Sequence, residues 1–493
     1  MNIQQTLDLL KSTLATPNEA LAKSITQATG LVAFDLQAPA KNLYPVLTPL
    51  RNRLPRVPGN GGLATNWKVV QAIVGSGYNS MPWVPEGQRS ARMSYQTANK
   101  AATYVTIGEE DQVSYEAISA SQGFEDVAAK MSMRLLQKMM LKEEDALLGG
   151  NQSLALGTPG TPTLSAAGVG ATLPAATYSV IVVALTYEGF RNATLATGVA
   201  TSQTITGADG QTFVLSGGSS NKSAAATQAV TLGQTLSCSV TPITGAVGYA
   251  WYTGTAGAEK LEKITTINSV TFTAPLAGTG QAATAVTADN SRNVNLAFDG
   301  FLTWGLNSAN GGYVNTLATG TPGTGTFLTS SGRGSVNEID TMLQSMWDNY
   351  KLSPTVIWVN SQEQKNITNK VLSNATGPLV RYDTKGDDGY ELTASGVIAN
   401  YFNPFALDGG KKIPIKIHPT LQPGTIIGHC EDLPAQYQSN EVPNVAEVHV
   451  RRDYYQIDWP LRTRQQEKGV YAEEVLAVYA PFAFGVINNI ANG

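Results

Sequence analysis

Covalent chemistry needs titratable side chains gathered in one place, so the search begins with them. The chain has three histidines, His418, His429 and His449, each inside a strand-like run. His429 and Cys430 are adjacent metal-ligating types, but neighbours on a strand point to opposite faces and would not share one ion. "GTPGTGT" (Gly320 to Thr326) is partly similar to a phosphate-binding loop. It lacks the lysine after the last glycine, and no helix pattern follows. "DTKGDDGYE" (Asp383 to Glu391) offers carboxylates without the spacing of a helix-flanked calcium loop, and reads as a solvated acidic loop. "EED" occurs twice, at Glu109 to Asp111 and Glu143 to Asp145, and both read as charged surface. No G-x-S-x-G, H-E-x-x-H, C-x-x-C or G-x-G-x-x-G set is present. The sequence therefore assigns no catalytic residue, no metal ligand and no cofactor, and the reading is not an enzyme.

The totals narrow the classes further. With 493 residues the chain is expected to hold several cores. Only 14% of residues are charged, well under the roughly 25% of an ordinary globular chain. A net charge of −4 and the lack of any Lys/Arg block do not favour gripping a nucleic-acid backbone. The opening "MNIQQTLDLLKSTLATPNEALAKS" lacks the pattern of a signal peptide, and no run of about eighteen apolar residues predicts a membrane span. Cys238 and Cys430 are too few for a disulfide framework and read as small buried residues of a chain that folds in a reducing cytosol.

The elements follow from periodicity. Residues 1–63 begin with two short amphipathic helix patterns, then become too rich in proline for helix or central strand, and read as an extended arm. Residues 64–119 alternate around a Gly/Ser/Asn/Pro tip, predicting a protruding two-stranded loop. Phe124 to Leu148 carries Val127, Met131, Leu135 and Met139 at helical spacing opposite Lys130, Arg134, Lys138 and Lys142, and should end at Gly149-Gly150 in a left-handed cap. Composition then changes abruptly: nine charged residues lie between Gly150 and Asn290, against sixty-one elsewhere. Short β-branched runs at sandwich-like spacing predict a separate β domain over 153–290, spliced in where its two ends meet. Beyond it "GSVNEIDTMLQSMWDNY" predicts a helix with Ser335 and Glu338 as a capping box, and "LSPTVIWVN" a buried strand. The host is expected to be α+β, with a mixed sheet and one long helix.

The order of these elements, with "EEDALLGGN", "FDGFLTWGLN", "SVNEIDTMLQSMW", "PTVIWVNS" and "RRDYYQID…AVYAPFAFGVINNI", resembles the major capsid proteins of tailed bacteriophages, whose fold is named after the phage Hong Kong 97. The resemblance covers everything but the insert. It implies an N-terminal arm (1–63), an extended β-loop (64–119), a spine helix and peripheral domain (120–152), a peripheral return (291–334), an axial domain (335–435) and closing strands (436–493). The insert resembles immunoglobulin-like or fibronectin type III modules through "ITGAVGYAWYTGTAGAEKLEKI", in which Tyr249, Trp251 and Tyr252 would alternate between core and surface. The implied function is a subunit that self-assembles through hexamers and pentamers into an icosahedral virion shell around double-stranded DNA, in the host bacterial cytoplasm, with scaffold, portal and decoration proteins as partners. The insert would be displayed outside, in weak contact with cell-surface carbohydrate. Trp83, Arg89 and Arg92 near the loop tip are candidate contacts with Glu143, Glu144 and Asp145 on the spine helix of an adjacent copy. Two other readings are a nanocompartment shell of the same fold and a carbohydrate-binding adhesion protein.

Overall fold

The computed structural model describes residues 46–491 apart from 60, 75–82, 85, 90, 91, 93, 122–125, 207–209, 333, 374–379, 384–390, 395–397, 406–409, 435–443 and 462. Most of the expected arm, the apex of the loop and nearly all of the Asp383 to Glu391 loop therefore lie outside the described residues. By contacts the chain forms two compact units. One comprises 1–46, 110–135 and 458–469; the other comprises 47–109, 136–457 and 470–493.

Before the insert come β1 (Arg56–Pro58), β2 (Ala64–Val74), β3 (Ser94–Thr103), β4 (Val105–Ser114), α1 (Tyr115–Ala120) and α2 (Val127–Gly149). β2 and β3 form an antiparallel ribbon of their own, as the alternation predicts. In the smaller unit, Ser114 caps α1 by accepting from Ala117 N–H at 3.2 Å, and Arg464 pairs with Glu116 at 2.8 Å. Asp126 caps α2 by accepting from Ala129 N–H at 3.0 Å. Met131, Leu135 and Met139 are buried while Arg134 and Lys138 are exposed, so the stripe read from the sequence is the one used. The end of α2 differs from expectation. Neither Gly149 nor Gly150 adopts a positive φ. Glycine is needed there for close approach: a Cβ on Gly150 would stand 2.5 Å from the Phe298 carbonyl oxygen and 2.8 Å from that of Ala146.

That crossing joins the two ends of the segment expected as an insert. Gly300 N–H donates to the Gly150 oxygen at 2.8 Å, Asn293 N–H to that of Asn151 at 2.9 Å, and the Asn151 side chain to that of Ser291 at 2.8 Å. Between these ends lie β5 (Thr163–Ala167), β6 (Ala176–Leu185), α3 (Tyr187–Asn192), β7 (Ser202–Thr206), β8 (Thr212–Ser216), β9 (Ala226–Val230), β10 (Thr235–Ser239), β11 (Gly248–Gly254), β12 (Lys260–Thr265) and β13 (Ser269–Phe272). They form sheets of order β13-β10-β5 and β12-β11-β6-β9, and a separate β7-β8 hairpin. Val180, Val182 and Ala184 of β6 face one core with Leu236, Cys238 and Trp251, while Ile181, Val183 and Leu185 face a second with Val199, Tyr252 and Val286. Trp251 and Tyr252 are both fully buried, which corrects the expected core-and-surface alternation. The central strands bury both faces because residues around Val199, Ala283 and Val286 cover the second one.

Residues of the expected insert, 153–290, also bond to later parts of the chain. Asn268 N–H donates to Asn489 Oδ1 at 2.9 Å, and Asn489 Nδ2 donates to Asn268 Oδ1 at 3.0 Å and to the Leu317 oxygen at 2.7 Å. The "GTPGTGT" turn serves the same seam: Gly323 N–H donates to Ser269 Oγ, and Thr271 Oγ1 to the Pro322 oxygen.

After the insert come α4 (Phe301–Leu306), β14 (Tyr313–Thr316), α5 (Asn337–Tyr350), β15 (Val356–Val359), α6 (Ser361–Ser373), β16 (Val380–Asp383), β17 (Glu391–Ala394), β18 (Asn400–Asn403), β19 (Lys411–Ile417), β20 (Ile426–His429), β21 (Ala446–Asp458), β22 (Gln465–Val478) and β23 (Phe484–Asn488). A mixed six-stranded sheet runs β14-β23-β20-β15-β19-β18, with β15 buried throughout, and a four-stranded sheet runs β1-β21-β22-β4. The class is α+β, as expected. The capping box is not formed: α5 begins at Asn337, Ser335 Oγ turns back to the Gly332 oxygen, and Glu338 accepts from the Thr329 N–H and hydroxyl.

Candidate functional site

Two places bear on function: the projecting loop, and a buried charge cluster that sequence reading missed. Among the described loop residues Trp83 is 86% exposed, and Val84, Arg89 and Arg92 are exposed as well. The proposed partners of these arginines are elsewhere engaged. Glu143 and Glu144 are buried to 1% and 0% exposure, which corrects both their reading as charged surface and their assignment to a neighbouring copy. Burying a carboxylate is tolerable only with compensating charge or donors, and both have these within their own chain. Asp145 is partly exposed but also occupied: the Tyr187 hydroxyl donates to it at 3.0 Å and Arg191 pairs with it at 3.3 Å.

The compensation comes from residues 47–58, a strap between the N-terminal region and β1. Its sequence "RNRLPR" places Arg51, Arg53 and Arg56 within six residues. A helical turn closed by Leu54 N–H to the Leu50 oxygen presents two free amides, and Glu144 accepts both, from Leu50 at 2.9 Å and Arg51 at 2.7 Å. The other side of Glu144 meets His418 Nε2 at 2.7 Å. Glu143 receives the Arg51 Nε–H at 2.5 Å, Arg56 and the Tyr454 hydroxyl. Arg56 also reaches Asp453 at 3.0 Å and Glu474 at 3.2 Å. The guanidinium carbons of Arg51 and Arg56 lie 5.3 and 5.5 Å from the Tyr454 ring centre. Arg53 forms a two-pronged pair with Glu431 at 2.5 and 2.6 Å and lies over Trp358. The described part of the expected arm is thus fastened to its own chain.

The charges shift one another accordingly. Burial works against the Arg51 cation, but Glu143 opposite more than offsets it, and its pKa lies above the ordinary value. Burial pushes the Glu431 carboxyl up and Arg53 pulls it down further, leaving it below the usual range. Burial, then the neighbouring Glu143 charge, pushes Glu474 up to about 8. The histidines are structural in setting. His429 is stacked against Phe484 and edge-on to Phe301, its ring nitrogens find no partner among the described residues, and burial lowers its pKa to about 4. His449 meets the Tyr479 hydroxyl at 2.8 Å. Cys238 and Cys430 are buried free thiols. Among the described residues no group of three or more His, Cys, Asp or Glu side chains could hold a metal.

The sequence did hold one signal for the cluster: three arginines between prolines in a chain poor in charge. Their partners were illegible, because Glu143, Glu431, Tyr454 and Glu474 lie 87 to 418 residues away from those arginines and meet them only in the fold.

No family profile matches the sequence, and no curated protein matches it. Solved structures do. The capsid of a native GTA particle is 9% identical, with 97% of this chain and 100% of that chain covered and a TM-score of 0.44. The capsid of Myoviridae phage XM1 is 7% identical, with 95% and 100% covered and a TM-score of 0.43. The holo-SrpI encapsulin complex from Synechococcus elongatus is 10% identical, with 92% and 93% covered and a TM-score of 0.34.

Proposed function

We propose that this chain is a major capsid protein of the Hong Kong 97 kind, a structural subunit that assembles with copies of itself into an icosahedral shell around double-stranded DNA. The observation that carries the reading is the β2-β3 ribbon. Among the described residues it pairs with no third strand, and Leu63 before it and Trp83 and Val84 between its strands are exposed to solvent. A two-stranded ribbon alone is marginal in water, so one of this length calls for cover from another surface. A neighbouring copy supplies that cover in a shell. The ordered succession of strap, ribbon, long helix and mixed sheet agrees with the sequence resemblance, as does a charge balance unsuited to gripping DNA. In this reading the two-sheet insert is an immunoglobulin-like module on the outer face, touching cell-surface carbohydrate weakly. Scaffold and portal proteins direct assembly in the host cytoplasm, and Trp83, Arg89 and Arg92 contact the adjoining subunit.

Electron microscopy of the expressed protein tests the assembly: closed polyhedral shells are expected, and a population that stays monomeric at high concentration would sink it. Nucleic acid in native particles favours the genome container over an enzyme-filled compartment. Reversing Arg89→Glu and Arg92→Glu together should leave the circular dichroism of the subunit unchanged and abolish shells. Normal shells from that double variant would remove the loop-tip contact.

A further inference from the structure

Like the β2-β3 ribbon, the β7-β8 hairpin pairs with no third strand among the described residues. Phe213 lies opposite Ile205 across it, and both are exposed. Leu215, two residues on from Phe213, shares that face and carries it into a cavity of about 370 Å³. The other walls include Ile107 of β4, Ala146 of α2 and the turn Leu296 to Phe298. Asn293 fixes the hairpin there: its Oδ1 accepts from Ser216 N–H at 2.7 Å, and its Nδ2 donates to the Ser216 oxygen at 3.3 Å and to Glu188 Oε2 at 3.1 Å. Val294 and Leu296 beside it are exposed as well. Apolar side chains gathered round one cavity differ from the single ones that any surface carries. The charges at the cavity are uneven. Lys142 pairs with Glu109, and Arg191 with Asp145. Glu188 has a single hydrogen bond among the described residues, from Asn293, and burial pushes its carboxyl up to about 7. The loop between β2 and β3 is charged the other way, with Arg89 and Arg92 against Glu86, and it exposes Trp83 and Val84.

We infer that this cavity, with the adjoining face of the hairpin, is the socket for the loop tip of a second copy: Trp83 enters beside Leu215 and Leu296, and Arg89 and Arg92 stay at the rim. Given the shell reading above, on which this contact rests, the socket is what the tip touches. A buried indole N–H needs an acceptor, and Glu188 has the capacity to be one. The cavity lies at the small end of the range for binding pockets, suited to one large side chain rather than to a whole strand. Tip and socket are different patches of one surface, so each contact joins unlike faces and generates a ring when the rotation closes. Two sockets facing each other would stop at a dimer. The hairpin lies within the expected insert, 153–290, so part of that segment takes part in assembly and does not merely ride on the shell.

Disulfide trapping in the full-length protein tests the contact. Cys238 and Cys430 are buried, so cysteines introduced at exposed positions are the ones that react. Trp83→Cys and Leu296→Cys proteins, mixed, assembled into shells and oxidised, should give a mixed dimer on non-reducing gels that neither gives by itself. Shells without that dimer overturn the socket. So do dimers of Trp83→Cys alone, in which tips meet tips, or of Leu296→Cys alone, in which sockets face each other. Should the cysteine variants fail to assemble, Phe213→Asp decides. It should leave the circular dichroism of the subunit unchanged and raise the subunit concentration at half-assembly by about tenfold or more; an unaltered assembly curve refutes the proposal. A native protein that forms no shells defeats the shell reading itself, an outcome distinct from shells that form without the cross-link.

Discussion

Asn489 offers the sharpest measure of how far residues 153–290 and the rest of the chain form one folding unit. It is 6% exposed, holds φ at 61°, and uses its whole amide: Oδ1 accepts from Asn268 N–H, and Nδ2 donates to Asn268 Oδ1 and to the Leu317 oxygen. Asn489→Ala leaves three buried polar groups without partners, each costing about 1–3 kcal/mol where water does not enter. It also sets a β-carbon in the left-handed region, about 1 kcal/mol more. Partial hydration of the vacated space trims the sum, so the expected loss is about 4 kcal/mol. Asn489→Gly loses the same bonds without the backbone strain and should be about 1 kcal/mol milder. Asn268→Ala breaks the mutual bonds from the other side, so the double variant should fall short of additivity by about 2 kcal/mol. The assay is urea unfolding of the unassembled subunit, followed by fluorescence of its tryptophans, among which Trp251 lies fully buried in the insert core. Strict additivity, or single variants within about 0.5 kcal/mol of the native protein, would mean that insert and body fold independently and the seam is incidental.

Two further outcomes follow from the same geometry. Gly150→Ala must push a β-carbon against the backbone oxygens of Phe298 and Ala146, at 2.5 and 2.8 Å, and should destabilise by about 2–4 kcal/mol in urea unfolding; Gly160→Ala, with open space around it, should change little. His429 has a folded pKa of about 4, below its ordinary 6.5, so the unfolded chain binds the extra proton between those values and stability is lost as pH falls through that window. His429→Phe keeps the stacking on Phe484 and should remove about 3 kcal/mol of this acid sensitivity in melts between pH 7 and 4; an unchanged slope would refute that account.

What the sequence made legible was whatever depends on local pattern. The α2 stripe through Met131, Leu135 and Met139, the buried run of β15 and the ribbon around the loop tip are all properties of short windows, and they survive in the structure. What failed depended on distant partners. Ser335 and Glu338 have the spacing of a capping box, but Thr329 offers Glu338 two donors and takes it away from its own helix end. Gly149 and Gly150 looked like a cap because a left-handed turn is the common reason for glycine after a helix, whereas here the reason is Phe298, about 150 residues on. "EED" at Glu143 looked like surface because charge usually is, and nothing near it in sequence says that two arginines and a tyrosine will converge on Glu143.

That convergence has a consequence for how the strap responds to its surroundings. A segment held by apolar burial would feel temperature and denaturant but hardly pH, and one held by exposed ion pairs would loosen with salt. The strap draws on both apolar burial and charge: Leu50 and Leu54 are buried in the main core, and its partners Glu143, Glu144 and Glu474 are inaccessible to solvent, so mobile ions screen them poorly. Residues 47–58 should therefore keep their place through wide changes in ionic strength, an outcome that separates the buried-cluster account from exposed surface salt bridges.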